Sequence, residues 1–210
     1  MAVTSNQHGV APFLVNGRPL KAINQYYNKR KAILQSQLPP DQKTSRRIQQ
    51  LTHKRNQCVN DVLHRSSRII IDWCVEHQIG TLVIGKNDGW KQEIDLGKRN
   101  NQNFVQIPHA RLIEMLQYKG ALVGIEVMVC EESYTSKCSF LDNEPIQKHD
   151  SYQGKRVKRG LFVASDGRTI NADINGAANI IRKVIPNAFA DGIAGVAVRP
   201  VRVNPHEAQK

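Results

Sequence analysis

The sequence predicts an α/β fold, and three stretches carry that prediction. Thr81-Leu82-Val83-Ile84, bounded by Gly80 and Gly85, is apolar and too short for a helix, so it reads as a buried strand. Pro108 then opens a helical pattern with Leu112, Met115 and Leu116 on one face, and Gly124 to Cys130 forms a second apolar strand ending in Glu131-Glu132. Strand, helix, strand implies a parallel pair. Val129 to Ser133 is consequently a carboxyl end of a strand, where open α/β sheets place their ligands.

The remaining elements follow from local patterns. Val3 to Ser5 and Phe13 to Val15 flank Asn6-Gln7-His8-Gly9 and read as two short strands joined by a turn, with Asn16-Gly17-Arg18-Pro19 ending the hairpin. Leu20 to Leu38 has helical composition, and Pro39-Pro40-Asp41 breaks it before a longer helix from Thr44 to about His77. On that helix Ile48, Leu51, Cys58, Val59, Val62, Leu63, Ile69, Ile70, Trp73 and Cys74 keep one apolar stripe, mostly at spacings of three and four. Its opposite face holds Lys43, Arg46, Arg47, Lys54, Arg55, Arg65 and Arg68. From Ser133 to Ile170 the composition turns polar and basic, with Lys155, Arg156, Lys158 and Arg159 clustered, as in an insertion that hangs off the sheet. Ile174, Ala177, Ala178, Ile181 and Val184 mark a last helix before Pro186, after which the tail has no clear periodicity.

The 210 residues are enough for one sizeable core, and 30 Lys plus Arg against 18 Asp plus Glu give a net charge of +12. Because the excess is concentrated in a few stretches, a polyanionic partner is expected, with counterion release supplying sequence-independent affinity. No apolar run approaches the roughly 20 residues that span a bilayer, and Met1 to Pro19 lacks the apolar core of a secretory signal, so a cytoplasmic protein is expected. Cys58, Cys74, Cys130 and Cys138 form no CxxC pair and read as reduced thiols, two of them in helix cores. His53, His64, His77 and His109 have no partner at ligand spacing. Trp73 reads as core, whereas Trp90 beside Lys91 lies in a polar loop where it could stack on a base.

Two carboxylates stand out by position: Glu132 at a strand end and Asp173 in the first turn of a helix. Acids converging at such a rim can hold Mg²⁺ or Mn²⁺, which prefer hard oxygen ligands. The macrodipole favours an acid in a helix's first turn in any case, so the pair alone defines no site.

Four stretches add a resemblance. Asn24-Gln25-Tyr26-Tyr27-Asn28-Lys29-Arg30, Ile84-Gly85-Lys86-Asn87 with Trp90-Lys91-Gln92, Tyr134-Thr135-Ser136-Lys137-Cys138, and Asn171-Ala172-Asp173-Ile174-Asn175-Gly176-Ala177-Ala178-Asn179-Ile180 resemble, in this order and nearly end to end, the TnpB/OrfB family of transposon proteins. That family is related to Fanzor and the type V CRISPR effectors. The resemblance implies an RNase H-like (RuvC-like) mixed sheet with flanking helices and RNA-guided DNA cleavage. Its three carboxylates hold two metal ions that activate water and stabilise the leaving oxygen of a phosphodiester. Asp173 matches the third carboxylate. Gly85 stands where most members carry the second, and Glu132 fits a relocated position just before the Tyr-Thr-Ser motif, with Glu131 as the alternative because strand alternation points the two to opposite faces.

The first carboxylate lies in the family on an opening strand with an Asp-Leu-Gly motif, and Met1 to Asn6 resembles the segment just after that strand. The earliest acid, Asp41, follows a proline pair where helix capping explains it. The expectation is therefore an N-terminally truncated chain, missing its opening catalytic strand, with two unsatisfied sheet edges, and inactive unless a partner supplies the missing part in trans. A ribbon of four soft ligands is also implied, yet only Cys138 remains, so a degenerate zinc ribbon without zinc is expected. The expected organisation is a partial nuclease core over 1–133, the degenerate ribbon over 134–170, and a core helix with tail over 171–210. DNA and a guide RNA are the implied partners, with no membrane. Arg46, Arg47, Lys54, Arg55, Arg65, Lys155, Arg156, Lys158 and Arg159 are the nucleic-acid-binding candidates. A non-catalytic nucleic-acid-binding protein, or a remnant that does not fold, is the alternative.

Overall fold

The computed structural model describes residues 1–87, 107–190 and 199–207. Strands β1 (Ala2–Val3) and β2 (Phe13–Val15) form the expected antiparallel hairpin, with Ala2 opposite Leu14 and Val3 opposite Phe13. Helix α1 (Arg18–Ser36) carries Pro19 in its first turn, where a proline fits, and α2 (Arg46–Glu76) is capped by Ser45, whose side chain accepts from Ile48 N at 3.4 Å. Strand β3 (Thr81–Lys86), helix α3 (His109–Ala121) and strand β4 (Glu126–Glu131) make the predicted parallel unit, in register from Thr81–Glu126 to Lys86–Glu131. A three-stranded antiparallel sheet follows, with β5 (Lys155–Lys158), β6 (Leu161–Val163) and β7 (Thr169–Ile170), and then helix α4 (Ala172–Val184).

The tail departs from expectation. Val201–Val203 forms β8, which pairs parallel with β2 and places Val201 opposite Phe13 and Val203 opposite Val15. Three residues are too few to show a period of two, and their partner lies nearly the whole chain away, so no local pattern announces the strand. β2 is buried along its length for a related reason. Phe13 and Val15 pack with Ile70, Ile71, Cys74, Leu116 and Ile125, whereas Leu14 points into a second core of Phe140, Phe162, Ile170, Ile174 and Ala178.

Helices α1, α2 and α3 enclose a third core of Leu20, Val59, Val62, Leu63 and Met115. Of the stripe on α2, Cys74 is buried and Trp73 packs on Phe13 at 5.3 Å between ring centroids, but Cys58 is exposed. Lys119 is buried in this layer and donates to His64 O at 2.8 Å and Ser67 Oγ at 2.7 Å. Among the described residues β1 and β3 have one neighbouring strand each, and no helix is long and apolar enough to cross a membrane. β1 and β3 nonetheless line one core, through Val3 on the first and Leu82 and Ile84 on the second.

Candidate functional site

Glu131 ends β4 and Glu132 follows it, with Glu132 N donating to Lys86 O at 3.3 Å, so the pairing with β3 continues one residue beyond the strand. The two acids then part. Glu131 accepts from Lys183 Nζ at 2.8 Å and from Ser133 N and Oγ, and these bonds pull its carboxyl down to about 2. Glu132 turns instead onto Gly85. A methyl group on that glycine would stand 2.8 Å from Glu132 Oε2 and 2.6 Å from Ile180 Cδ1, closer than such atoms approach. Burial raises the Glu132 pKa, and the neighbouring charge of Glu131 adds to the rise.

Asp173 sits in the first turn of α4, where Asn171 Oδ1 accepts from Asp173 N at 3.0 Å and Ile174 N at 3.3 Å. Its carboxylate is exposed and lies 3.7 Å from Arg156 of β5. The Met1 amine, which donates to Val15 O at 3.1 Å, is close enough that Asp173 partly offsets the burial lowering the amine's pKa. Asp173 thus stands where β1, β5 and α4 meet. It and Ile180, the α4 residue against Gly85, are seven residues apart on one face, about 10 Å of helix rise.

In kind, Glu132 and Asp173 fit a hard divalent cation, which is often held by one or two carboxylates together with waters and phosphate oxygens. Among the described residues, no group of three or more acids, histidines or cysteines is placed to hold a metal ion. The fit for zinc fails. Burial raises the Cys138 pKa, and the thiol donates to Gln147 O at 3.5 Å, while His149 Nε2 bonds Pro145 O at 2.8 Å. Carboxylates instead join the segments around Cys138. Asp142 accepts from Ser165 N at 3.0 Å and Oγ at 2.6 Å, and Glu144, fully buried, accepts from Ser139 N at 2.7 Å and Gln153 N at 2.9 Å.

The basic candidates separate in the same way. Arg65 Nε donates to both oxygens of Asp61 at 3.0 Å, and Arg55 faces α1, bonding Asn24 Oδ1 at 2.8 Å over the Tyr27 ring. Arg46, Arg47 and Lys54 are exposed and make no ion pair among the described residues, and Lys155, Arg156 and Lys158 line the exposed β5, with Arg159 in the turn after it. Trp90, Lys91 and Gln92 lie outside the described residues. Sequence reasoning missed Asn175 and Asn179, fully buried and hydrogen-bonded to the chain around Cys138. Their place between apolar residues of α4, facing inward every fourth residue, is the signal that could have found them.

The chain thus combines an α/β unit, an acid at a strand end, a second acid opening the last helix and a basic hairpin beside it. Residues 1–91 match the family model OrfB of IS605, described as a probable transposase, and residues 109–180 match the Cas12f1-like TNB domain. The CRISPR-associated endodeoxyribonuclease Cas12f1 of Sulfoacidibacillus thermotolerans is 30% identical over 148 residues, 70% of this chain and 32% of that protein. The chain therefore spans about a third of the length of this relative. A cryo-EM structure of the Cas12f1–sgRNA–target DNA complex shares the fold with a TM-score of 0.59 at 20% identity, over 82% of this chain and 44% of that one. The two family matches together take in most of the chain, and with the Cas12f1 relative they support a TnpB-like protein.

Proposed function

We propose that the chain carries two of the metal-binding carboxylates, Glu132 and Asp173, of an RNA-guided DNA endonuclease acting in transposition. The observation that carries this reading is the seating of Glu132 on Gly85. The strand residue where a glutamate is expected has no side chain, and the carboxylate of Glu132 fills that space while Lys183 ties Glu131 away from it. Mg²⁺ or Mn²⁺ would supply activation of a water and stabilisation of the leaving oxygen. The chain's own part is to fix two oxygen donors, with Arg156 close to Asp173 where a phosphate would approach.

The RNase H-like reading treats β1–β2 and β3–β4 as parts of one mixed sheet, and their shared core supports it. A strand between β1 and β3, from a further segment or a second copy, would complete the sheet and bring a third carboxylate. On this reading 1–133 and 171–210 build the nuclease core, 134–170 is a ribbon that has lost its metal, and these 210 residues alone do not cleave. Mn²⁺ titration followed by electron paramagnetic resonance tests the site. Glu132→Gln and Asp173→Asn should each weaken binding about tenfold, whereas Glu131→Gln should change it less than twofold. Equal binding by all three variants refutes the assignment. Magnesium-dependent DNA cleavage by the chain with its RNA, abolished by Asp173→Ala, refutes the inactivity.

A second reading, a nucleic-acid-binding protein without catalysis, is favoured by the exposed Arg46, Arg47 and Lys54 on α2. Binding to DNA or RNA that survives Glu132→Gln and Asp173→Asn, with no Mn²⁺ bound by the wild type, selects it.

A further inference from the structure

We infer that Asn175 and Asn179 are positioning residues that fix the distance between Glu132 and Asp173; the inference rests on the metal-binding reading above. Asn175 and Asn179 lie four residues apart on α4 and so share one face, turned toward residues 135–140. Asn175 Oδ1 accepts from Phe140 N at 2.9 Å, and its Nδ2 donates to Cys138 O at 2.9 Å. Asn179 Nδ2 donates to Thr135 O at 2.9 Å and Cys138 O at 2.8 Å, while its Oδ1 accepts from Arg182 at 3.0 Å. Thr135 closes the chain of bonds by donating from Oγ1 to Glu132 O at 2.8 Å and from N at 3.3 Å.

A bonded path therefore runs from the backbone of Glu132 through Thr135 to Asn179, and along one rigid helix to Asp173. Its members are specific to this task in two respects. Asn175 and Asn179 are fully buried, and a buried amide is costly unless both its donor and acceptor are used, which confines the helix to one register against residues 135–140. Leucine in their place would fill the volume and leave that register free to slide. The same path explains how two acids on separate elements keep one spacing, since the carboxylates themselves make no contact with one another that would set it.

Mn²⁺ affinity and thermal unfolding, measured together on the whole chain, test the inference. Asn179→Ala should raise the Mn²⁺ Kd about fivefold to tenfold. Asp142→Ala, whose bonds lie within the insertion, should lower the melting temperature and change the Kd less than twofold. Should Asn179→Ala fail to fold, Thr135→Val removes only the hydroxyl bond to Glu132 O, and a Kd raised about threefold supports the inference. Wild-type affinity in a folded Asn179→Ala or in Thr135→Val overturns it, as does an equal rise in Asp142→Ala, which marks general loosening. If Glu132→Gln and Asp173→Asn leave binding unchanged, the underlying site fails and the inference falls with it. If those two weaken binding while Asn179→Ala does not, only the positioning role is refuted.

Discussion

The contact between Gly85 and Glu132 separates the two strand-end acids, and it turns on a single missing Cβ. Glycine inside a strand ordinarily weakens it by roughly 0.5–1 kcal/mol relative to alanine, so Gly85→Ala in open space would stabilise β3. Here the added methyl meets Ile180 Cδ1 and Glu132 Oε2, and also Glu132 Cβ at 2.9 Å, which no side-chain rotation moves away, and overpacking of this kind costs about 1–3 kcal/mol. The second effect is larger. Gly85→Ala should therefore lower stability in urea unfolding, and weaken Mn²⁺ binding by displacing Glu132; equal or higher stability would show that the space is not filled. Sequence placed Glu132 and Glu131 at the strand end but left the choice between them open. Lys183, which holds Glu131 apart from Glu132, is 52 residues away on another element, beyond the reach of strand alternation.

Elements whose cores are local were legible, and those held by distant polar contacts were not. The β3–α3–β4 unit follows from apolar runs of the right lengths, and α2 from a stripe repeated over eight turns, whereas β8 is legible only once β2 is in place. The insertion is the intermediate case. Its basic cluster was foreseen, but the Asp142–Ser165 and Glu144–Ser139–Gln153 bonds join residues that no motif pairs. Treatment with a chelator should leave its folding transition unchanged, because these carboxylate bonds join its segments. Asp142→Ala should cost about 1–2 kcal/mol in thermal unfolding. Burial alone would raise the Asp142 pKa, but bonds from Ser139 and Ser165 and the charge of Arg168 outweigh it and hold the carboxyl below its ordinary 3.8. A lowered folded pKa gives stability that is present above 3.8 and lost as pH falls through the lower value, so the wild type's advantage over Asp142→Ala should vanish in strong acid. A transition that collapses in chelator at neutral pH would contradict this.

Across the whole molecule, the net charge of +12 favours polyanionic partners but does not say where they would bind, because charge and availability differ. Arg65 belongs to Asp61, Arg68 to Asp72 at 3.5 Å, and Arg55 to the α1 contact, so much of the basic face read from the sequence is already engaged. Arg46, Arg47 and Lys54 remain on the first turns of α2, spread over eight residues or about 12 Å. At 3.4 Å per phosphate on one strand, that length covers roughly three phosphates. Each phosphate neutralised releases counterions, so replacing these three cations by glutamine should reduce the slope of log K against log salt by about 2–3 on duplex DNA. Arg65→Gln should change the slope by less than about half a unit, since the lost charge leaves Asp61 unpaired and disturbs an ion pair already formed. Fluorescence anisotropy of labelled DNA between roughly 50 and 200 mM salt distinguishes the two variants. Identical slopes would place the polyanion elsewhere, and Lys155, Arg156 and Lys158 on β5, beside Asp173, are then the face to neutralise next.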